Sequence, residues 1–518
     1  MRLDALVGTK LAGASADVEI NALAYDSRRV SSDSLFFCVP GFKRDGHDFA
    51  PEAVRAGAVA LVVERQLGLG VTEVLVDSVR AVMAPIAARF YGEPARTLRV
   101  VGVTGTNGKT TTTYLLRALL EATGTQCGLL GTVKSVIAGS ERAVERTTPE
   151  ALELQADLRA MLDGGDRACA MEVSSHALEL GRVAAIPFAA AVFTNLTQDH
   201  LDFHGTMEDY FQAKRRLFTE PAPSISVINA ADPYGRRLAQ ELGSAITFAV
   251  EAPADYRAVD LRCDLEGCSF TLQTPEGDRE VTLPMPGHFN VANALGALAT
   301  VHALGGEEHA GGTEAMRVSR LDRLVDALAD GVRVPGRMEP VEEGQDFAVL
   351  VDYAHTPDSL ENVLRAAREI LRSSAQTARG ARGEGRLLCV FGAGGDRDRG
   401  KRPLMGEIGA RLADLLFVTS DNPRSEDPRQ IIEEIMAGAT AATAGRDRSM
   451  GAPEADVRAI VDRKLAIDEA IRCARDGDVV VIAGKGHEQG QELAGGRKLP
   501  FDDVSVARDA LRMRVCVL

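Results

Sequence analysis

Seven consecutive residues, Gly105-Thr106-Asn107-Gly108-Lys109-Thr110-Thr111, combine the residue types that hold phosphate. Gly105 and Gly108 allow backbone N–H groups to turn toward an anion. A helix starting just after them adds orphan donors and the positive end of its dipole. Lys109 supplies a point charge for terminal phosphates, and the hydroxyl of Thr110 or Thr111 suits Mg2+. The spacing departs from the common pattern, whose first glycine would fall on Val103. A glycine-rich turn bearing a surface lysine has the same local composition, so the surroundings must decide. Glu172 and His200 each lie just after or at the end of an apolar run. A carboxylate and an imidazole in such places can bind a divalent metal. Lys214 lies in the helical pattern Met207 to Phe218, where the pattern alone makes it a solvated lysine. Thr147-Thr148-Pro149-Glu150 precedes a helix and reads as a cap or as an anion site.

These residues need elements to position them. Val100 to Val103 reads as a strand and Tyr114 to Glu121 as a helix. Ala168 to Val173, Ala189 to Phe193 and Ser226 to Ile228 are short apolar runs, each followed by polar residues. Buried strands with polar carboxyl ends indicate a parallel α/β sheet whose ligands gather at those ends. Residues 255–283 alternate as an antiparallel patch, and Phe289 to His302 reads as a helix. Ala348 to Tyr353, Leu387 to Phe391, Leu415 to Thr419 and Val479 to Ala483 repeat the strand pattern, so a second parallel sheet is expected. Ahead of both, Ser34 to Val39 and Ala58 to Val63 read as strands, with helices at Phe49 to Gly57 and Val79 to Phe90. Tyr25-Asp26-Ser27-Arg28 and Asp45-Gly46-His47 read more plainly as capped turns than as sites. Glu307 to Glu314, Ser373 to Gly385 and Thr443 to Asp456 read as loops, the last two flexible and on the surface.

The expected fold class is α/β in three domains. Residues 1–98 form a mixed α/β domain, 99–333 a central ATPase-like parallel-sheet domain, and 334–518 a Rossmann-like domain. A chain of 518 residues exceeds one core, which agrees with this division. The net charge of −15 and the absence of Trp argue against a nucleic-acid partner. No apolar run approaches a membrane span, and no signal peptide is evident, so a cytoplasmic chain without membrane insertion is expected. The eight cysteines contain no CxxC pair. Cys263 and Cys268 are too isolated for a zinc site, and reduced, structural cysteines are expected.

The motifs together resemble the bacterial Mur ligase family of peptidoglycan synthesis, and most closely its diaminopimelate-adding branch. The resemblance spans nearly the whole chain, from Asp26-Ser27-Arg28 to Gly484-Lys485-Gly486-His487-Glu488. The unusual glycine spacing is this family's version of the phosphate loop. Glu172 to His176 and Asn195 to Gly205 belong to the wider superfamily, whereas Asp421-Asn422-Pro423-Arg424 marks the diaminopimelate branch. The resemblance implies that Gly105, Thr106, Asn107, Gly108, Lys109, Thr110 and Thr111 hold the phosphates of ATP. It implies Mg2+ on Thr110, Glu172, His200 and Lys214, the last carbamylated to N6-carboxylysine. Lys109, Glu172, His200 and Lys214 are thereby the catalytic set. Asn293 would face adenine, Arg337 and Asp352 would reach the nucleotide, and His355 would lie beside them.

For UDP-MurNAc-L-Ala-D-Glu the implied contacts are Ser27, Arg28, His47, Thr147, Thr148, Ser174 and Arg182. For meso-diaminopimelate they are Arg397, Asp421, Asn422, Arg424, Gly484 and Glu488. One position departs from the pattern: some members carry Gln two residues before Arg182, and this chain has Leu180, which puts one substrate hydrogen bond in question. The implied activity is ATP-dependent amide ligation through an acyl phosphate by a monomer, with hinges near Glu93-Pro94 and Pro335-Gly336. Loops at 305–317, 373–385 and 443–455 read as local elaborations. Folylpolyglutamate synthetase relatives share the central chemistry but lack the Asp-Ser-Arg domain and the Asp-Asn-Pro-Arg motif. A lysine-adding Mur ligase should not carry Arg424 in that motif. A non-catalytic nucleotide binder has no need to retain Lys109, Glu172, His200 and Lys214 together.

Overall fold

Alternation along the strands accounts for the layers. In a computed structural model, which describes all residues except 9–16, 42–43, 309–313, 378–384, 445–455 and 516–518, the chain divides into two compact units. The first comprises 1–104, 124–192 and 212–226, and the second 105–123, 193–211 and 227–518. The stretch 99–333, which the sequence assigns to one central domain, is therefore divided between the two units. Units of this kind follow packing, which need not respect chain order.

The first unit opens with a four-stranded parallel sheet ordered Ala22–Ala24, Ser34–Phe37, Ala58–Val63, Thr72–Leu75. Leu35, Phe37, Ala60 and Val62 face one side, where Leu3, Leu6, Met83 and Ala87 cover them. Phe36, Leu61 and Val63 face the other, against Ala50 and Ala53. This is the period of two expected of strands buried on both faces. The covering helix Val79–Phe90 starts where Ser78 Oγ accepts the N–H of Ala81 at 3.3 Å, an N-cap. The same unit carries strands in the order Ala190–Phe193, Arg99–Thr104, Ala168–Glu172, Cys127–Leu130, followed by the hairpin Ser135–Ile137 and Ser140–Arg142.

In the second unit the helix Lys109–Ala122 packs on His288–Glu308. Strands Ile225–Asn229, Ile246–Val250 and Tyr256–Cys263 run parallel, and Cys268–Gln273 and Arg279–Leu283 continue antiparallel. A six-stranded sheet follows, ordered Glu339–Pro340, Ala348–Asp352, Val479–Ala483, Leu387–Phe391, Leu415–Val418, Asp456–Ala459, parallel except at its first strand. Leu350, Cys389, Phe391 and Val481 point into one core layer, and Val349, Val351, Val390 and Ile482 into the other. Among the described residues no helix is long and apolar enough to cross a membrane.

Several sequence expectations change. The helix after the phosphate loop begins at Lys109 and not at Tyr114, because Thr110 to Thr113 are buried and tertiary packing overrides their weak helix propensity. The expected loop at 307–314 is helix at Glu307–Glu308, in His288–Glu308, and again at Glu314, where Glu314–Ala329 begins; 309–313 lie outside the described residues. Ser373 to Thr377 continue the helix Pro357–Thr377, and 378–384 lie outside the described residues. Thr443 and Ala444 close the helix Pro428–Ala444, and Asp456 opens a strand; 445–455 are outside the described residues. A helix can outrun its apolar stripe by a turn, which hides its end from periodicity. Cys263 and Cys268, expected to be reduced, are joined in a disulfide across the antiparallel pair that holds them opposite one another.

Candidate functional site

The phosphate loop sits at a strand end and is closed by tight approaches. Gly105 has φ +152° and Gly108 φ +85°. A Cβ on Gly105 would fall 1.9 Å from Thr194 Oγ1, and one on Gly108 2.3 Å from Asn293 Oδ1. Neither position admits a side chain, so the loop backbone stays close to its neighbours. Residues 194–197 clamp it. Thr106 N–H donates to the Asn195 carbonyl at 2.9 Å, and Asn107 N–H to Asn195 Oδ1 at 2.9 Å. Thr194 Oγ1 donates to the Asn107 carbonyl at 2.6 Å, and Thr106 Oγ1 to the Thr197 carbonyl at 3.1 Å. Lys109 Nζ folds back onto its own loop, donating to the carbonyls of Gly105 at 2.9 Å and Thr106 at 2.8 Å. Thr110 and Thr111 are buried in the first helical turn.

Residues far along the chain meet this loop inside the same unit. Arg337 Nη2 donates to Thr110 Oγ1 at 3.1 Å, and its guanidinium lies 4.6 Å from the Tyr353 ring centroid, a cation–π distance. Asn293 is buried, with Thr112 Oγ1 donating to its Oδ1 at 3.4 Å and its Nδ2 donating to Asn290 Oδ1 at 3.3 Å. Asp358, which sequence reasoning missed, accepts from Asn107 Nδ2 at 2.7 Å and Thr197 Oγ1 at 3.3 Å. Burial raises its carboxyl above the usual range, against those hydrogen bonds. Asp352 is buried too, and its two oxygens accept the N–H groups of Met338 and Ala354, both at 2.8 Å. Gly336, expected at a hinge, is wedged: a Cβ there would lie 2.2 Å from the His487 nitrogen.

A second cluster in that unit is ionic. His200 has φ +53° and is half exposed, with Nε2 3.4 Å from Asp199 Oδ2. Burial alone would raise the Asp199 carboxyl, but His200, His355 and Lys401 outweigh it and hold the group below the usual carboxylate range. Burial lowers both His355 and Lys401, and Lys401 Nζ donates to the His355 carbonyl at 3.0 Å. His355 Nδ1 lies 2.8 Å from the Tyr353 carbonyl, which makes Nδ1 the donor. Sequence reasoning missed Asp199 as a partner and Lys401 altogether; no local pattern marks either.

In the first unit Glu172 closes its strand fully buried. Thr132 donates to it twice, N–H to Oε1 at 2.7 Å and Oγ1 to Oε2 at 3.0 Å. Thr147, Thr148, Ser174 and Arg182 gather beside it. Thr132 Oγ1 and Thr147 Oγ1 lie 3.0 Å apart, and Thr148 Oγ1 donates to the Glu172 carbonyl at 2.8 Å. Ser174 N–H donates to Thr148 Oγ1 at 3.1 Å, Arg182 Nη1 to the Thr148 carbonyl at 3.0 Å, and Arg182 Nη2 pairs with Glu150 at 2.8 Å. Lys214, also in this unit, is only 1% exposed, so it is not the solvated lysine that its helical pattern alone suggests. Leu180 caps the short helix Ser175–Glu179 through its backbone. Ser27 begins a short 3-10 helix, and Arg28 projects into solvent while forking onto Asp26. His47 is buried: Nδ1 lies 2.6 Å from Asp45 Oδ1, and Nε2 accepts the Glu64 N–H at 2.9 Å. Both ring nitrogens therefore serve the fold.

The third cluster follows the strand Leu415–Val418. Asp421 and Asn422 are buried. Lys485, absent from the expected set, is fully buried between Asn422 Oδ1 at 2.9 Å, Glu488 Oε2 at 3.1 Å and Asp421 Oδ1 at 3.4 Å. Burial would raise the Asp421 carboxyl, but Lys485 and Arg463 hold it low. Gly484 has φ +115°, and a Cβ there would sit 3.4 Å from Asp421 Oδ2. Arg424 takes φ +49°, which aims its side chain back across Gly395, and Nη1 donates to that carbonyl at 2.6 Å. Its Nε donates to Glu492 at 3.0 Å. Arg397 is exposed. A cluster with both charge signs suits a zwitterionic amino acid.

Among the described residues no group of three or more His, Cys, Asp and Glu could hold a metal ion. Mg2+ commonly takes one or two protein ligands and completes its shell with phosphates and water. Thr110 in the second unit and Glu172 in the first each offer hard oxygen donors of that kind.

Three family models match consecutive segments of the chain: "Mur ligase family, catalytic domain" at 19–91, "Mur ligase middle domain" at 103–301, and "Mur ligase, glutamate ligase domain" at 336–486. Similar curated relatives are the UDP-N-acetylmuramoyl-L-alanyl-D-glutamate--2,6-diaminopimelate ligases of Synechococcus elongatus and Geobacillus kaustophilus. The first is 46% identical over 97% of this chain and 96% of its own, and the second 45% identical over 96% of each. A solved structure of a protein bearing the same name covers 99% of both chains at 33% identity, with a TM-score of 0.67.

Proposed function

The chain belongs to the Mur ligase family, and from that membership we propose that it joins meso-diaminopimelate to UDP-N-acetylmuramoyl-L-alanyl-D-glutamate at the expense of ATP. The reaction is an amide ligation. The γ-carboxylate of D-glutamate attacks the γ-phosphorus of ATP, and ADP leaves. The amine at the L-centre of diaminopimelate then attacks the acyl phosphate. The tetrahedral intermediate collapses to the amide and releases phosphate. The observation that carries this reading is the run Asp421-Asn422-Pro423-Arg424, whose Asn422 Oδ1 accepts from the buried Lys485, itself paired with Glu488, in the unit that also contains the phosphate loop.

The chain's own residues bind and align. Lys109 and the Gly105 to Thr111 backbone take the phosphates, and Arg337 reaches Thr110 from the C-terminal segment. Asn293, Asp352 and His355 serve the nucleoside side. Thr147, Thr148, Ser174 and Arg182 form a polar nest for the muramyl dipeptide, with Ser27, Arg28 and the loop of His47 on the nucleotide side of that substrate. Arg397, Asp421, Asn422, Arg424, Gly484 and Glu488 take diaminopimelate. Thr110, Glu172, His200 and carbamylated Lys214 would hold Mg2+, which supplies charge neutralisation on the transferring phosphoryl group. A carbamate turns the Lys214 cation into an anion, which suits that role. The chain works as a cytoplasmic monomer in three parts, residues 1–98, 99–333 and 334–518, for the nucleotide-sugar peptide, ATP and amino acid respectively.

Phosphate release from ATP, with each substrate omitted in turn, tests this reading. Full release should need both the UDP-dipeptide and diaminopimelate, with an equal amount of UDP-tripeptide formed. Release indifferent to diaminopimelate would refute the assignment. In the same assay, bicarbonate-depleted enzyme should lose rate and recover part of it when bicarbonate is restored. A bare, uncarbamylated Lys214 amine in fully active, nucleotide-loaded enzyme would remove the carbamate from the account.

A further inference from the structure

The amino-acid pocket contains a carboxylate that the reaction above does not use. Glu492 ends the short strand Gly490–Glu492, which pairs antiparallel with Lys498–Pro500. Its Oε2 accepts from Arg424 Nε at 3.0 Å, with the pair partly buried at 22% and 36% exposure. Backbone bonds dock the same strand on the same turn. Arg424 N–H donates to the Glu492 carbonyl at 3.1 Å, and Glu492 N–H donates to Asn422 Oδ1 at 2.9 Å. Gln491 Nε2 adds a bond to the Asp421 carbonyl at 2.6 Å. With Gly395 accepting from Nη1, the guanidinium is held at two of its three nitrogens, and among the described residues Nη2 is the nitrogen that donates to none.

We propose that Glu492 is a specificity-determining residue: a resident carboxylate that orients Arg424 and sets how strongly its fork takes the distal carboxylate of the incoming amino acid. This rests on the reading that the fork receives that carboxylate. Glu492 acts in two opposed ways. Its hydrogen bond to Nε fixes the plane of the guanidinium, which favours a bidentate ligand. Its charge neutralises Arg424 and repels a second carboxylate on the same fork. When an amino acid without the distal carboxylate is bound, Arg424 still keeps this partner, so a fully unpaired guanidinium is avoided and the penalty against such an amino acid is softened. Lys485 does not substitute for it, being committed to Asn422, Glu488 and Asp421.

Two substitutions separate the effects. Glu492→Gln keeps an acceptor oxygen for Nε–H but removes the charge; Glu492→Ala removes both. Steady-state kinetics with diaminopimelate and with lysine, at low and high salt, should show Glu492→Gln lowering KM for diaminopimelate about fivefold, the size of one partly exposed charge interaction. kcat and lysine turnover should stay close to wild type, and the gain should shrink at high salt. Glu492→Ala should raise KM for diaminopimelate instead. The proposal is overturned if Glu492→Gln leaves that KM unchanged or raises it, or if both variants behave alike while melting as the wild type does. Arg424→Ala belongs in the same series: if it leaves diaminopimelate kinetics untouched, the pocket assignment fails, whatever the Glu492 variants do.

Discussion

Lys109→Ala is expected to lower kcat/KM for ATP by about three orders of magnitude, or about 4 kcal/mol of transition-state stabilisation. Phosphoryl transfer gives the protein little covalent work, so positioned charge carries most of the catalysis. In the structure Lys109 Nζ is held by two carbonyls of its own loop, those of Gly105 and Thr106. The ammonium is thus already at the mouth of the phosphate cradle, and ATP needs only to draw it from carbonyl oxygens to phosphate oxygens. The fold should survive the substitution. Residues 194–197 clamp the loop through Asn195, Thr194 and Thr197, and those bonds do not involve the lysine. Circular dichroism and melting should therefore match wild type while turnover collapses. Near-normal turnover would remove the phosphate-loop assignment.

The second large effect is at Arg424. Arg424→Ala should lose most activity with diaminopimelate, mainly through a raised KM, and should change lysine turnover little. Diaminopimelate carries a second carboxylate at its far end, where lysine has hydrogen. A fork–carboxylate pair of this kind, once broken, typically costs roughly 2–5 kcal/mol. The wild type is accordingly expected to prefer diaminopimelate by about a hundredfold in kcat/KM. Glu492 places this near the lower end of that range, because the guanidinium keeps a partner when lysine is bound. Kinetics of both proteins with both amino acids decide it. Equal diaminopimelate kinetics in mutant and wild type would reduce Arg424 to a structural ion pair with Glu492.

Much of the architecture was legible because the buried parallel strands are short unbroken apolar runs. Leu387–Phe391 and Val479–Ala483 lie where those runs are, and polar residues follow them at the sheet rim. The helix Glu314–Ala329 could have been read from Leu321, Leu324 and Leu328, whose spacing of three and four buries one face. The start of the helix at Lys109 could not, since four threonines in succession argue against helix until their burial is known. The clusters were legible where one motif supplies several members, as with Asp421, Asn422 and Arg424. Lys485 lies inside the motif Gly484 to Glu488, but a lysine between two glycines looks like a surface charge until its burial is known. Asp358, Lys401 and Glu492 left no local trace, because each acts through a partner dozens of residues away or more. His47 shows the reverse. The resemblance implies a ligand contact where the residues alone read as a capped turn, and a backbone N–H seventeen residues on and the carboxylate of Asp45 occupy its ring.

The acyl phosphate is the step on which the whole account turns, and oxygen transfer tests it most directly. The γ-carboxylate of the D-glutamate in UDP-N-acetylmuramoyl-L-alanyl-D-glutamate would be labelled with heavy oxygen in both positions. The enzyme would be turned over with ATP and diaminopimelate, and the released phosphate weighed. If the carboxylate attacks the γ-phosphorus, one labelled oxygen leaves with each phosphate and the other stays in the new amide. Phosphate released without label, alongside normal tripeptide formation, would contradict the mechanism.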